Sequence, residues 1–346
     1  MLFSQDVPLA PHTTLGLGGP ARRLARVENV DELKQALAAE GDDPVLVLGG
    51  GSNLVVRDGG FPGTVIQIAI AGVKIREQGE HAVVSAFAGE SWDGFVAQMV
   101  EAKLSGVECL SGIPGLVGAT PMQNVGAYGQ EVADTISLVR VLDRQTGEIE
   151  SFEPKDCGFA YRTSVFKGSE RWVVLEVRFK LARSAESAPL KYPELSRALG
   201  VAEGGRAPLA EVRSTVTALR RTKGMVVDPA DPDSKSAGSF FMNPLVDAET
   251  LALLESNLPA GTALPKWPAA DGKTKLSAGW LIERAGFAKG HGAGNAGIST
   301  KHALALVNRG NATTRELLAL AEEIQDGVRA RLGIDLVPEP VIVGID

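Results

Sequence analysis

Three segments of the chain carry side chains suited to proton transfer and to stabilising a negatively charged oxygen: Arg162, Ser239 and Glu339. The rigid guanidinium fork of Arg162 could hydrogen-bond a carboxylate or a developing enolate oxygen. The Ser239 hydroxyl could act as a general acid. Glu339 stands between Pro338 and Pro340, which restrict its backbone. Taken singly, each residue also has a structural explanation: an ion pair, a turn serine and an exposed turn.

A first glycine-rich segment, Gly49 to Asn53, follows an apolar run from Pro44 to Leu48 that we predict to be a buried strand. The segment lacks the Lys-Ser/Thr pair with which a P-loop reaches the outer phosphates and magnesium, which argues against a nucleoside triphosphatase. Clustered backbone N–H groups, aided by the Ser52 hydroxyl and the Asn53 amide, could instead bind a pyrophosphate. A plain tight turn explains this segment equally well.

A second glycine-rich segment extends from Gly112 to Gly129. Its many small residues leave the backbone open to close approach, which a purely structural loop rarely needs. Gln123 and Asn124 add amide groups that could recognise the heteroatoms or phosphates of a flavin. Together, the two segments favour a dinucleotide cofactor.

Length and charge limit the kind of protein further. The 346 residues predict two or three domains, and the formal net charge of −7 argues against nucleic acid as the main partner. No stretch approaches the roughly 18 apolar residues of a membrane span, and no signal peptide is recognisable. We therefore expect a cytoplasmic protein that does not insert into a membrane.

Cysteines and histidines are few. Cys109 and Cys157 have no metal-type spacing, which fits a reducing compartment, and we interpret Cys109 as a small buried residue. The histidines are scattered and no carboxylate cluster accompanies them, so we predict no catalytic metal. They are His12, His81, His291 and His302.

Apolar periodicity and capping residues predict an α+β fold. A helix should start after Asn29, and a capping box from Thr313 to Glu316 should start the last helix. The other predicted strands are 64–68, 82–86, 138–142 and 172–181. In the last of these, alternation predicts that Val173, Leu175, Val177 and Phe179 face one way and Glu176, Arg178 and Lys180 the other.

The two glycine-rich segments resemble the FAD-binding domain of the vanillyl-alcohol-oxidase and p-cresol-methylhydroxylase superfamily. Within it, the segments around Arg162, Tyr192, Ser239 and Glu339 resemble type I members of the UDP-N-acetylenolpyruvoylglucosamine reductase (MurB) family, along nearly the whole chain. The resemblance implies a two-subdomain FAD-binding module followed by a C-terminal α+β substrate domain. The implied divisions are subdomain 1 at 1–66 and 333–346, subdomain 2 at 67–215, and the UDP-sugar domain at 223–332.

The resemblance also implies which residues hold FAD. No His or Cys, through which some relatives attach FAD covalently, stands between Gly49 and Asp58, so noncovalent FAD is implied. The expected FAD-binding residues are Gly49, Gly50, Gly51, Ser52, Asn53, Leu54, Gly112, Pro114, Gly115, Gly118, Ala119, Gln123, Asn124, Gly126, Ala127, Gly129 and Arg220.

The implied reaction is that of a UDP-N-acetylmuramate dehydrogenase in peptidoglycan precursor synthesis. NADPH reduces FAD, and hydride then passes from flavin N5 to C3 of the enolpyruvyl group of UDP-N-acetylglucosamine enolpyruvate. Arg162 and Glu339 would stabilise the enolate, the latter protonated or sharing a proton. Ser239 would protonate C2.

A UDP-sugar carries a diphosphate, so a local group of cations is required, for which Arg220, Lys223 and Lys275 are candidates. By resemblance, Lys223 and Asn243 contact the diphosphate, and Tyr192 lies in a loop that folds over the substrate. Trp267 stands where type I relatives carry Tyr, which leaves its own contact unassigned.

Two alternatives remain. An FAD-dependent oxidase of the same superfamily would share the cofactor loops, and a catalytically silent UDP-sugar-binding protein would share the pocket. The combination of Arg162, Ser239, Glu339 and the Tyr192 loop argues against both, because an oxidase needs no acid to protonate a carbanion and a binding protein needs no catalytic residues. We also expect a monomer.

Overall fold

The computed structural model describes residues 3–39, 41 and 43–346. Helices and strands are mixed along the chain, as the predicted α+β class requires. The helices are α1 (Val30–Ala38), α2 (Trp92–Glu101), α3 (Pro193–Leu199), α4 (Leu209–Thr222), α5 (Ala248–Asn257), α6 (Ala278–Arg284) and α7 (Thr314–Leu332).

The strands include every segment that alternation and apolar runs predicted. They are β1 (Ser4–Pro8), β2 (Pro20–Val27), β3 (Val45–Leu48), β4 (Leu54–Val56), β5 (Phe61–Ile68), β6 (Val73–Gln78), β7 (His81–Phe87), β8 (Leu104–Ser105), β9 (Gly126–Ala127), β10 (Gln130–Glu131), β11 (Ile136–Asp143), β12 (Ile149–Phe152), β13 (Trp172–Arg183), β14 (Leu245–Val246), β15 (Lys266–Pro268), β16 (Thr274–Leu276), β17 (Ala296–Ile298), β18 (Leu306–Asn308) and β19 (Val341–Val343).

The chain forms two compact units. Unit 1 comprises the described residues within Met1–Val7, Ala21–Gly50 and Pro62–Thr222, and unit 2 comprises Pro8–Pro20, Gly51–Phe61 and Lys223–Asp346. The division expected from the sequence, into two FAD-binding subdomains and a substrate domain, stays a prediction.

Unit 1 is built on two large sheets, beside the short antiparallel pair β9-β10. One has the strand order β1-β2-β5-β3, with β3 parallel to β5, and the other has the order β12-β11-β13-β7-β6 with antiparallel pairs. The predicted cap of α1 is confirmed, because the Asn29 side chain accepts the Glu32 N–H and so satisfies one backbone donor of the first turn. The apolar face of α2 buries Trp92 and Phe95 against Phe179 of β13, with ring centroids 4.9 to 6.0 Å apart.

The predicted alternation along β13 is wrong at its centre. On β11, Arg140 and Val141 pair with Glu176 and Val174, so Leu175 is an extra residue in a β-bulge. An extra residue reverses the face on which the following side chains lie. The side chains before and after the bulge therefore enter two separate hydrophobic clusters: Val173 with Leu175, and Val177 with Phe179.

Next to the bulge lies a buried carboxylate, Glu176, which alternation placed on the polar face of the strand. Glu176 is 3% exposed. Arg140 donates to it at 2.7 Å and Arg178 at 2.6 Å, so the buried charge is paired on both sides. The two arginines explain why an acidic residue is tolerated inside this sheet.

Unit 2 packs short strand pairs against helices α5 to α7. Its sheets are β14-β16-β15, the pair β17-β18, and the parallel pair β4-β19. The predicted capping box of α7 is confirmed, with Thr313 and Glu316 each accepting the other's backbone N–H. The helix ends at Gly333, whose φ of +67° is the left-handed conformation that glycine adopts readily.

Within the described part of the chain, none of the helices combines the length and the apolar character needed to cross a membrane.

Candidate active site

In unit 1, the two glycine loops approach each other backbone to backbone. The first follows β3 directly, as predicted. A Cβ atom added to Gly50 would lie 2.8 Å from the Gly115 Cα, closer than real Cβ atoms come, and 3.2 Å from its carbonyl carbon. A Cβ at Gly49 would meet nothing closer than the Ala119 Cβ, at 3.9 Å. Position 50 therefore needs glycine for protein packing, whereas a Cβ at position 49 would make only ordinary van der Waals contacts.

The later part of the first loop belongs to unit 2. Gly51 has a φ of +59°, and a Cβ there would lie 1.9 Å from the carbonyl oxygen of His12. The backbone N–H of Thr14 donates to the Gly51 carbonyl at 3.2 Å. The segment from His12 to Thr14 thus packs against the loop at Gly51 and fixes the position of the next two residues, Ser52 and Asn53.

The end of the first loop is joined to the segment that carries Glu339. The Asn53 amide donates to the Glu339 backbone carbonyl at 3.3 Å, and the Val341 N–H donates to the Asn53 carbonyl at 3.0 Å. Leu54 then begins β4, which pairs in parallel with β19.

The second glycine loop is held against helix α2 and against Ala88, the residue that follows strand β7. The Gly112 N–H donates to the Asp93 carboxylate at 2.6 Å, and the Trp92 N–H donates to the Gly115 carbonyl at 3.0 Å. A Cβ at Gly118 would lie 2.5 Å from the Ala88 Cβ. Small residues are therefore needed here because the loop lies directly on its support.

Asn124 shapes the second loop from within. It is 1% exposed and has a φ of +46°, a conformation that Asn tolerates better than most residues. Its side chain accepts the Ala133 N–H and donates to Glu131 and to the Ala160 carbonyl. The amide that the sequence offered to a cofactor thus has protein partners, and Gln123 and Asn124 stay predicted cofactor residues.

Arg162 lies against the second loop. It occupies a tight turn between Ala160 and Thr163 with a φ of +55°. Its Nη2 donates to the Gly126 carbonyl at 2.8 Å, and its guanidinium stands 5.7 Å from the centroid of the Tyr161 ring. The structure therefore brings this predicted catalytic residue to the predicted cofactor loop.

Ser239 and Glu339 lie on neighbouring segments of unit 2. The Glu339 N–H donates to the carbonyl of Phe240 at 2.9 Å, and Phe241 forms an isolated bridge with Pro338. Phe240 and Phe241, which directly follow Ser239, are almost fully buried and so anchor the serine segment in the core. Both predicted proton-handling groups are half-buried, so a ligand could reach them.

Tyr192 and Arg220, both in unit 1, lie around Tyr128. The rings of Tyr128 and Tyr192 meet edge to face with centroids 5.3 Å apart. Burial raises the pKa of Tyr128 to about 12, against the opposing effect of the Arg220 charge. Burial also lowers the pKa of Arg220 to about 10, although Tyr128 and Asp93 favour its charged form. Arg220 therefore still carries a positive charge at neutral pH.

The other predicted substrate residues lie in unit 2. Asn243 accepts the N–H of Ala278 at 2.9 Å and so helps to start α6. Lys275 pairs in register with Trp267 on β15, and its ammonium lies 5.9 Å from the centroid of the Trp267 ring. Lys223 directly follows α4 and is half-buried.

Two buried or half-buried acids near the loops were missed by the sequence analysis. Asp93 accepts from Gly112 and from Arg213. Glu108 is 0% exposed and binds Gln130, Ser105 and two backbone N–H groups. An acid in the first turn of α2 was visible in the sequence, but its partners come from distant parts of the chain.

No group of three or more His, Cys, Asp or Glu residues in the described ranges is arranged to hold a metal ion.

Two protein-family models match the chain. Residues 21–153 match the FAD binding domain, and residues 229–343 match the C-terminal domain of UDP-N-acetylenolpyruvoylglucosamine reductase. The first range contains both glycine loops, and the second contains Ser239 and Glu339.

The similarity to known proteins covers nearly the whole chain. The UDP-N-acetylenolpyruvoylglucosamine reductase of Thermobifida fusca is 54% identical, with 99% of this chain and 98% of that protein covered. The protein of the same name from Saccharopolyspora erythraea is 53% identical over 97% and 94% of the two chains. The crystal structure of the MurB protein from Thermus caldophilus superposes with a TM-score of 0.69 at 28% identity, covering 99% of both chains.

Proposed function

Because the chain belongs to the UDP-N-acetylenolpyruvoylglucosamine reductase family, we propose that Arg162, Ser239 and Glu339 are its catalytic residues and that the two glycine loops bind its FAD. The protein is an FAD-dependent oxidoreductase that reduces UDP-N-acetylglucosamine enolpyruvate to UDP-N-acetylmuramate, with NADPH as reductant, in peptidoglycan synthesis. The observation that carries the proposal is that Arg162 is hydrogen-bonded to the second loop and that the Ser239 and Glu339 segments are neighbours.

The glycine loops fit FAD. The approach of Gly50 to Gly115 leaves two stretches of bare backbone side by side, and main-chain N–H groups are suited to bind a pyrophosphate. At Gly49, where a Cβ would make only ordinary contacts, packing within the protein does not by itself require glycine. When bound, FAD supplies the hydride chemistry that links NADPH to the substrate double bond.

Arg162 would hold the substrate carboxylate. Its guanidinium is permanently charged, and the bond from Nη2 to the Gly126 carbonyl holds it against the second loop. Negative charge builds up on the carboxylate oxygens when hydride is added to C3. A fixed cationic donor stabilises that charge more than it stabilises the ground state.

Ser239 would donate the proton that completes the reduction at C2, and Glu339 would hydrogen-bond the same enolate. A serine hydroxyl is a weak acid, but a carbanion is a strong base, so the transfer is downhill once the two are in contact. The buried Phe240 and Phe241 hold the Ser239 segment, and the backbone bond from Glu339 to Phe240 keeps the two residues on neighbouring segments.

Tyr192, Lys223, Asn243 and Lys275 would recognise the UDP-sugar. Two lysines supply positive charge for the diphosphate in a chain whose net charge is −7. Asn243 already uses its side-chain oxygen on Ala278, which leaves its NH₂ group to face a phosphate. Tyr192 is 41% exposed, as a residue that closes over a ligand should be before the ligand arrives.

We also place the reaction in the cytoplasm and expect a monomer. The two cysteines are buried free thiols, which is typical of a reducing compartment. Size-exclusion chromatography with light scattering measures the oligomeric state.

The test is an anaerobic visible spectrum of the FAD-loaded protein, with NADPH added first and the enolpyruvyl UDP-sugar second. We expect the flavin absorbance to bleach and then to recover. Ser239→Ala should bleach normally but recover much more slowly, whereas Ser256→Ala, which removes an exposed hydroxyl on α5, should behave like the parent.

Other outcomes assign other functions. Recovery only when air is admitted would favour the oxidase, and bound substrate without recovery in the parent would favour a silent binding protein. Equal recovery in Ser239→Ala and the parent would remove Ser239 from the mechanism.

A further inference from the structure

Asp93, the second residue of α2, connects the second glycine loop to helix α4. Its Oδ1 accepts the Gly112 N–H at 2.6 Å and Arg213 Nη1 at 2.6 Å, and its Oδ2 accepts Arg213 Nη2 at 2.9 Å. Bidentate, charge-assisted hydrogen bonds of this kind are among the strongest in proteins and fix the geometry of both partners.

The bond to Gly112 is made at the entrance of the loop. Gly112 has a φ of +72°, so the chain turns sharply there. The neighbouring Trp92 N–H holds the Gly115 carbonyl at 3.0 Å. The first turn of α2 therefore hydrogen-bonds both ends of the Gly112–Gly115 segment. Of these two hydrogen bonds, only the one to the Asp93 carboxylate involves a charged group.

The bond to Arg213 reaches a second group that is expected at the flavin. Arg213 lies on α4 seven residues before Arg220, so both side chains lie on the same face of the helix. That helix packs against α2 and against the Glu108–Leu110 turn. Asp93 is thus bonded to the loop and to the helix that carries Arg220.

The carboxylate of Asp93 stays charged near neutral pH. Burial acts to raise its pKa, but the hydrogen bonds from Arg213 and Gly112, together with the charges of Arg213 and Arg220, outweigh burial and hold the pKa of Asp93 below its usual value.

We propose that Asp93, with Arg213, is a positioning residue for FAD: its carboxylate holds the Gly112–Gly115 segment and α4 in the arrangement that binds the cofactor. This inference rests on the proposed placement of FAD at the second glycine loop. Without the carboxylate, the Gly112 N–H and the Arg213 guanidinium lose their common acceptor, and FAD binding must then supply the free energy needed to order the loop.

The chain offers a matched control in Asp143, also in unit 1. Its Oδ2 accepts Arg171 Nη2 at 2.7 Å and Nε at 3.1 Å, and its Oδ1 accepts the Gln145 N–H at 2.8 Å. As at Asp93, one arginine makes two hydrogen bonds and one backbone N–H makes a third, but the loop that Asp143 fixes is the turn after β11.

The experiment measures the FAD dissociation constant of the full-length apoprotein by quenching of flavin fluorescence, alongside the thermal midpoint without FAD. The variants are Asp93→Ala, Asp93→Asn, Asp143→Asn and Gln123→Ala. Losing hydrogen bonds to a charged group should raise the dissociation constant of Asp93→Ala about 10- to 100-fold, with a smaller rise in Asp93→Asn, which keeps an acceptor oxygen. Asp143→Asn should lower the thermal midpoint while the FAD dissociation constant stays near that of the parent.

Two results would overturn the inference. If Gln123→Ala weakens FAD binding but neither Asp93 variant does, the loop binds FAD and Asp93 has no positioning role. If neither Gln123→Ala nor Asp93→Ala changes the FAD dissociation constant, the placement of FAD at this loop fails as well. Asp93→Asn keeps the test valid should Asp93→Ala not fold.

Discussion

The side-chain amide of Asn53 donates a hydrogen bond to the backbone carbonyl of Glu339 over 3.3 Å, although 286 residues separate the two in the sequence. The Val341 N–H returns a bond to the Asn53 carbonyl, and the parallel pairing of β4 with β19 continues the connection. These hydrogen bonds therefore hold the end of the first glycine loop next to the segment that carries the proposed catalytic carboxylate.

Asn53→Ala should slow reoxidation of the reduced flavin by substrate, because the Glu339 segment loses an anchor. A hydrogen bond contributes about 1 kcal/mol, which corresponds to a rate change of about fivefold. Stopped-flow absorbance at saturating FAD measures the step. The control is Asn295→Ala, which removes a bond of the same kind and length to the Asn311 carbonyl. Equal rates in the two variants would contradict the coupling.

Gly50→Ala and Gly49→Ala should differ in stability. The new methyl group at position 50 would lie 2.8 Å from the Gly115 Cα, so the two loops would have to separate at a cost of about 1–3 kcal/mol. At position 49, the nearest atom is 3.9 Å away, and the apoprotein should keep the stability of the parent. Urea unfolding without FAD makes the comparison. Equal losses of unfolding free energy in the two variants would show that the close approach to Gly115 is not the reason why position 50 requires glycine.

Tyr192→Phe should raise the KM for the UDP-sugar about fivefold, because one hydrogen bond to the substrate is lost while the ring contact with Tyr128 is kept. Tyr192→Ala should raise KM further, since it also removes an aromatic pair worth about 0.5–1.5 kcal/mol. Steady-state kinetics at saturating NADPH measures both. A KM for Tyr192→Phe equal to that of the parent would exclude a contact through the hydroxyl.

Asp143 should contribute a pH-dependent part of the stability. Hydrogen bonds from Arg171 hold the pKa of Asp143 at about 2, below the ordinary value of 3.8. Stability from a lowered pKa is present above the unfolded-state value and is lost as pH falls through the folded-state value. The difference in unfolding free energy between the parent and Asp143→Asn should therefore shrink as pH falls from about 5 to about 2.5. A constant difference over that range would contradict the ion pair.

Cys109 should not react with thiol reagents in the native protein at neutral pH. It is 1% exposed, and burial, together with the nearby Glu108 charge, raises its pKa far above neutral. Burial also raises the pKa of Cys157 to about 11. Because the thiolate is the reactive form, we expect labelling of both cysteines only after unfolding in urea. Rapid labelling of the folded protein would contradict the burial of Cys109.

The sequence by itself determined the features that depend on neighbours along the chain. The Asn29 cap, the capping box at Thr313, the apolar strand before Gly49 and the glycine-rich segments are all local patterns, and the structure has the elements that they predict. Resemblance to a family then assigned Arg162, Ser239 and Glu339 their proposed roles, which geometry alone would not have done.

The tertiary structure decided what depends on contacts between distant segments. Pairing of β4 with β19 joins Asn53 to Glu339, the approach of Gly50 to Gly115 joins the two loops, and Asp93 acquires its partners only when α2 and α4 pack. The bulge in β13 likewise depends on its register with β11, so alternation could not reveal it. Periodicity and capping record interactions over a few residues, whereas these contacts follow from how separate elements pack together.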